Sequence, residues 1–181
     1  LKGAYLRGAI LENTNLREAN LENADLRETY LGEANLSQTN LKGAKLNDVN
    51  KKPNLPVKKV DFSQAFLEKA DLTNAALTGA NLSQADLKNA LLNSAYLDGA
   101  NFTEAKLINA DLSAADLSHA TFNRSNLDTA KLNKETNLHK ADFSGAEMLN
   151  ANLIKAAKNW EYATYDQNFR QDLGLPPIHH G

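Results

Sequence analysis

The chain has 181 residues, 20 of them basic and 22 acidic, for a net charge of −2. That balance excludes, for the chain as a whole, both a strongly basic duplex binder and a strongly acidic mimic of duplex DNA. Without cysteine there is no disulfide framework and no thiolate metal site, and no apolar run approaches the roughly 20 residues of a membrane-spanning helix. Apolar residues make up 42% of the chain but aromatics only 7%. Leu and Ala supply most of the apolar share. A compact globule needs a more varied core, so this composition points to one small unit used many times.

The unit is legible from the start, where the text runs GAYLR, GAILE, NTNLR, EANLE. A large apolar residue recurs at every fifth position from Leu1 to Leu46 and again from Phe62 to Leu132. After one extra residue it returns at Leu138, Phe143, Met148 and Leu153. Of these 29 centres 24 are Leu, and of the 28 positions two residues earlier 22 are Ala, which marks both positions as interior. The position before the centre favours Asp or Asn, and the two after it are polar and variable. The repeat is therefore A(D/N)LXX.

A period of five fits neither the 3.6 of a helix nor the 2.0 of a flat strand. A chain that turns one corner per repeat resolves this, with the centre and its Ala facing the axis and three residues facing out. Asp and Asn are expected at the corner, because they tolerate turn geometry and bond nearby backbone. The Phe centres set the number of sides. Phe62, Phe102, Phe122 and Phe143 fall in one interior column if a coil holds four repeats and the extra residue before Leu138 is discounted. A three-sided coil would scatter them.

Three interruptions follow in chain order. The stretch VNKKPNLPVKK around residues 50–59 carries two prolines and four lysines, and neither suits a ladder. It is read as a projecting loop, and Lys51, Lys52, Lys58 and Lys59 as a candidate site for an acidic partner. The extra residue near 133–136 is read as a one-residue bulge at a corner. From residue 158 to 181 the repeat gives way to NWEYATYDQNFRQDLGLPP. There Trp160, Tyr165, Phe169 and Leu173 have near-helical spacing, and Gly174, Pro176 and Pro177 signal a stop. One or two short helices are expected to cover the last coil, whose open end would otherwise expose unpaired backbone. The expected division is a β-helix over 1–157 and a cap and tail over 158–181. The chain opens at Leu1 already inside a repeat, as a sequence with a trimmed leader or N-terminal cap would.

No catalytic constellation accompanies the repeats. There is no glycine-rich phosphate loop and no Ser in a nucleophile-elbow context. His119 and His139 lie on one face of successive coils, one position out of register, with Asp98 a coil further. They are read as exposed polar positions, with no metal and no cofactor expected. His179 and His180 lie in the tail. On outward faces, Asp71 and Asp111 are separated by Leu91, so no acidic column forms. Ile10 and Tyr30 make a small apolar patch beside Tyr5.

The A(D/N)LXX unit, repeated this often over residues 1–157, resembles the pentapeptide-repeat family. The resemblance implies an all-β solenoid: a right-handed quadrilateral parallel β-helix of about eight coils, each four repeats long, with a short helical C-terminal cap. It implies a non-enzymatic structural or protein-interaction scaffold whose partner is another protein, with no direct nucleic-acid binding and a monomer favoured over a dimer. The family is frequent in cyanobacteria, so the expected compartment is the cytoplasm or, behind a trimmed signal, the periplasm or thylakoid lumen. The alternative is the DNA-mimic type that interacts with topoisomerase (DNA gyrase). Its faces are acidic, whereas the loop here is basic.

Overall fold

The computed structural model describes residues 1–50 and 59–177. The described chain winds as a solenoid. Tyr5 bridges Asp25 in parallel and Asp25 bridges Lys45, a step of 20 each time. The step is 26 from Asn35 to Asp61, across the 51–58 stretch. It is 21 from Asp116 to Asn137, past the extra residue, and 22 from Asp142 to Thr164 in the last turn. The bridges form four columns, starting at Tyr5, Ile10, Asn15 and Asn20.

Neighbouring coils are joined by reciprocal backbone hydrogen bonds. The Leu26 N–H donates to the Lys45 carbonyl (2.8 Å), and the Lys45 N–H donates back to Ala24 (2.9 Å). Only one residue in five is extended enough to pair in this way. Among the described residues the β-structure is therefore a set of single-residue bridges, not the continuous strands that an all-β description suggests. The rest of each repeat is spent on the turn.

The corner differs from the sequence expectation. In each regular repeat the centre's carbonyl accepts from the N–H three residues on, as in Phe62 to Ala65 (3.0 Å). The second residue after the centre has positive φ, +58° at Gln64 and +60° at Glu104. Positive φ there is the signature of a type II turn. The corner thus lies two residues after the centre. The Asp or Asn before the centre sits on the bridge and accepts from the amide two residues on, as Asp61 does from Ser63 (2.9 Å) and Asp71 from Thr73 (3.0 Å). It orders the start of the turn without occupying it.

The interior is filled by the centres and their small partners. Leu97, Phe102, Ala105 and Leu107 are almost wholly buried, and a buried Leu contributes on the order of 1.5–3 kcal/mol. Where Thr or Ser replaces Ala, its hydroxyl donates to a backbone carbonyl, Thr29 to Leu26 (2.6 Å) and Ser125 to Phe122 (2.7 Å). No buried side-chain polar atom among the described residues lacks a partner.

The regular register ends before Leu153. Met148 is not an interior centre: it is 65% exposed with φ +57°. Leu149 packs against the core beside it. Helix α1 (Ala151–Lys155) begins inside the span expected to be repeats, capped by Asn150, whose Oδ1 accepts from Leu153 N–H (2.8 Å). Its Ile154 is fully buried while Leu153 is only partly so. A single 3-10 turn (Trp160–Tyr162) and helix α2 (Gln167–Asp172) follow. Trp160 and Tyr165 therefore do not share a helix with Phe169. The bridge from Asp142 to Thr164 draws that segment back into the coil pairing instead. No helix among the described residues is long and apolar enough to cross a membrane.

Candidate functional site

The column that begins at Asn15 continues through Asn35, Asp61, Asn81, Asn101 and Thr121. Its outward side chains bond along the axis. Asn81 donates to Asp61 (3.1 Å), and Thr121 donates to Asn101 (3.1 Å). At the adjoining corner Gln38 donates to Gln64 (2.7 Å), Gln64 to Gln84 (2.8 Å) and Gln84 to Glu104 (2.7 Å). All four occupy positive-φ positions, which cost non-glycine residues roughly 1–2 kcal/mol each. The ladder partly offsets that cost.

Behind this face lies the aromatic column. Phe102 stacks on Phe122 with centroids 4.9 Å apart, and Phe122 on Phe143 at 4.7 Å. This is the spacing the coil backbone imposes, about 4.8 Å. Phe62 is fully buried, and its N–H donates to Asn81, so its coil neighbour in the interior is Leu82. Sequence reasoning missed the next member. Tyr165 stacks on Phe143 at 5.6 Å and contacts Phe169 at 5.7 Å. It falls outside the five-residue register, past the position that four more repeats from Phe143 would reach, so no periodic signal marks it. Burial pushes the Tyr165 phenol above its ordinary pKa, and its hydroxyl donates to the Trp160 carbonyl (2.8 Å).

Two other faces carry charge in pairs. Lys2 meets Glu22 (3.0 Å), and Lys42 meets Glu68 (3.0 Å). The Glu68 contact raises the Lys42 pKa, and that of Lys42 lowers Glu68. Arg27 grips Asp25 through Nε (2.8 Å) and a terminal nitrogen (2.6 Å), and this bond chiefly lowers the Asp25 pKa to about 2. At Asp142 burial opposes ionisation, but hydrogen bonds from Ser144 and Asn123 outweigh it and hold the pKa below the ordinary value. Exposed apolar residues are spread along the rod. Tyr5 (92%) and Ile10 (71%) lie on adjacent columns, and Tyr30 is bridged to Ile10. Asp71 and Asp111 flank Leu91 in one column.

Of the candidate lysines, Lys59 is exposed, and its carbonyl accepts from Glu33 N–H (2.8 Å). Its side chain lies over Gly79, where a Cβ would come 3.0 Å from Lys59 Cε. Lys51, Lys52 and Lys58 lie outside the described residues, as do His179 and His180. On the other side of the interruption the Asn50 side chain links two coils. Its Oδ1 accepts from Leu31 N–H, and its Nδ2 donates to the Ala76 carbonyl (3.5 Å). His119 Nδ1 lies 2.9 Å from Asp98 Oδ1. The His119 and His139 rings meet edge to face at 5.9 Å, and the His139 ring contacts Tyr162 at 5.5 Å. Among the described residues no group of three or more His, Asp or Glu could hold a metal ion.

The family model "Pentapeptide repeats" matches the chain over residues 1–38, 19–50, 58–93, 95–133 and 134–156. The chain belongs to the pentapeptide-repeat family. Among solved structures of this family, HetL from the cyanobacterium Nostoc sp. strain PCC 7120 is 31% identical, with a TM-score of 0.63. The match covers 91% of this chain and 70% of HetL. The pentapeptide-repeat protein alr5209, also from Nostoc, is 34% identical over 59% of this chain and 84% of its own, with a TM-score of 0.42. QnrB1, a plasmid-mediated fluoroquinolone resistance protein, is 17% identical over 99% of this chain and 96% of its own, with a TM-score of 0.39. No protein of curated function matches the chain.

Proposed function

We propose that this pentapeptide-repeat protein is a monomeric, non-enzymatic interaction scaffold. In this reading the span 1–157 is a right-handed quadrilateral β-helix of about eight coils whose regular register stops before Met148, and helix α1 together with 158–181 forms its cap and tail. The partner is another protein, acidic at its contact surface, engaged by Lys51, Lys52, Lys58 and Lys59. The observation that carries the reading is the division of the repeat. From Leu21 to Phe143 its interior positions are filled mainly by Leu, Ala and Phe with almost no exposure, while its outward side chains stand in ladders held by neighbouring coils. A surface so organised suits recognition by contact.

Two further observations support it. The segment with the four lysines is tied into the coil pairing on both sides, at Asn50, whose N–H donates to Thr29 (2.8 Å), and at Lys59. HetL, involved in heterocyst differentiation regulation, has a role that fits action by contact. A DNA mimic directed at topoisomerase needs a continuous acidic face. The pairing of Glu22, Asp25, Glu28 and Glu68 with Lys or Arg weighs against it.

The test replaces the four lysines with Ser and compares capture from native lysate at ~20 mM salt, where screening is weak. Acidic proteins retained by the wild type, released by added salt and absent from the variant are the expected result. Identical retained sets from the two proteins would refute the loop as the binding element.

A further inference from the structure

We propose that His119 and His139 form a surface site for a borderline transition-metal dication such as Zn2+ or Ni2+, with Asp98 as its positioning residue. The two histidines come from successive coils, and their backbones are bonded directly: the His119 N–H donates to the His139 carbonyl (2.9 Å). Their separation is thus set by the coil ladder and not by flexible side chains alone. The rings stand at 89° with centroids 5.9 Å apart. Two imidazoles on one tetrahedral ion, with metal–nitrogen bonds of about 2.0–2.1 Å, place their ring centroids about 5–6 Å apart. The observed centroid separation of 5.9 Å is of that order.

The neighbours supply what such a site needs. Asp98 Oδ1 accepts from His119 Nδ1 at 2.9 Å, so in the neutral ring the proton sits on Nδ1 and Nε2 keeps its lone pair. A carboxylate behind a ligating imidazole fixes its tautomer and raises its basicity. The ring nitrogens of His139 have no hydrogen-bond partner among the described residues, and the ring is steadied between His119 and Tyr162. His119 is exposed and His139 partly exposed, which leaves room for water to complete the coordination. Imidazole donors select Zn, Ni or Cu over the hard ions Mg and Ca, which require several oxygens. Lys140, exposed next to His139, further disfavours binding by charge alone.

The test titrates ZnCl2 and NiCl2 into the full chain carrying His179→Ala and His180→Ala, so that no tail imidazole competes. The readouts are calorimetry and the imidazole proton resonances. Expected are one-to-one binding that shifts the resonances of both histidines, and binding at least tenfold weaker in either His119→Ala or His139→Ala. Asp98→Asn should weaken binding about 10–100-fold without changing the thermal midpoint of the apo protein. Absence of one-to-one binding, or affinity unchanged in either histidine variant, overturns the site. Affinity unchanged in Asp98→Asn overturns the role given to Asp98.

Discussion

Replacing Phe122 by Leu tests whether the aromatic column is an energetic unit or only a filled space. Phe122 is fully buried between Phe102 and Phe143, with near-parallel rings 4.9 and 4.7 Å away. A Leu there loses two ring pairs, each worth about 0.5–1.5 kcal/mol beyond area burial. It also loses some volume, and apolar swaps that nearly conserve volume usually cost under about 1.5 kcal/mol. Phe62 supplies the internal control. It is equally buried, but its coil neighbours are Leu36, which donates to Asp61, and Leu82. Phe62→Leu therefore bears the volume cost alone. Phe122→Leu should be the more destabilising by about 1–3 kcal/mol, which is about 2–12 °C in thermal midpoint for a chain of this size. Parallel thermal and guanidinium unfolding of the three proteins by circular dichroism measures this, with several probes because solenoid unfolding need not be two-state. Equal losses in the two variants would refute the stacking argument and leave only volume.

Two other perturbations test the charge pairing and the cap. Asp25 has its pKa depressed to about 2 by Arg27, so its contribution is present above the unfolded pKa near 4 and is lost as pH falls towards 2. Asp25→Asn should therefore be less stable than wild type at pH 6, with most of that difference gone by pH 2, measured as guanidinium midpoints; a gap constant across that range would contradict the assignment. Tyr165→Phe removes only the hydroxyl that donates to Trp160 and should cost about 0.5–1.5 kcal/mol. Tyr165→Ala also empties the end of the column and should cost about 3–5 kcal/mol, with faster hydrogen exchange in residues 158–173; matching losses would place Tyr165 outside the core.

The five-residue recurrence of Leu with Ala two residues earlier was enough, without coordinates, to identify the family and to separate inward from outward positions. Burial leaves a trace at the residue itself, because only apolar centres and small partners fit a narrow interior, and the same side chains recur wherever that constraint recurs. The corner carries a fainter trace: glycine at Gly3, Gly8, Gly43, Gly79, Gly99 and Gly145 and asparagine at Asn13, Asn23, Asn74, Asn89 and Asn109 take the left-handed conformation readily. Gln64, Lys69 and Glu104 adopt it as well, although nothing local favours it in them. The turn is imposed by the bridges on either side.

The candidate site divides along the same line. That Lys51, Lys52, Lys58 and Lys59 break the pattern is plain in the sequence, since prolines and charges do not belong in a ladder. That the Asn50 side chain links two coils, that Met148 turns outward while Leu149 packs inward, and that Tyr165 completes the Phe column are matters of tertiary structure. So is the meeting of His119, His139 and Tyr162. These contacts join residues 19 to 26 positions apart, and each offset shifts by one or more wherever the chain inserts or drops a residue. Spacing along the chain specifies which side chains face in. Which of them touch across coils depends on the accumulated register of the stack, and the backbone pairing decides that.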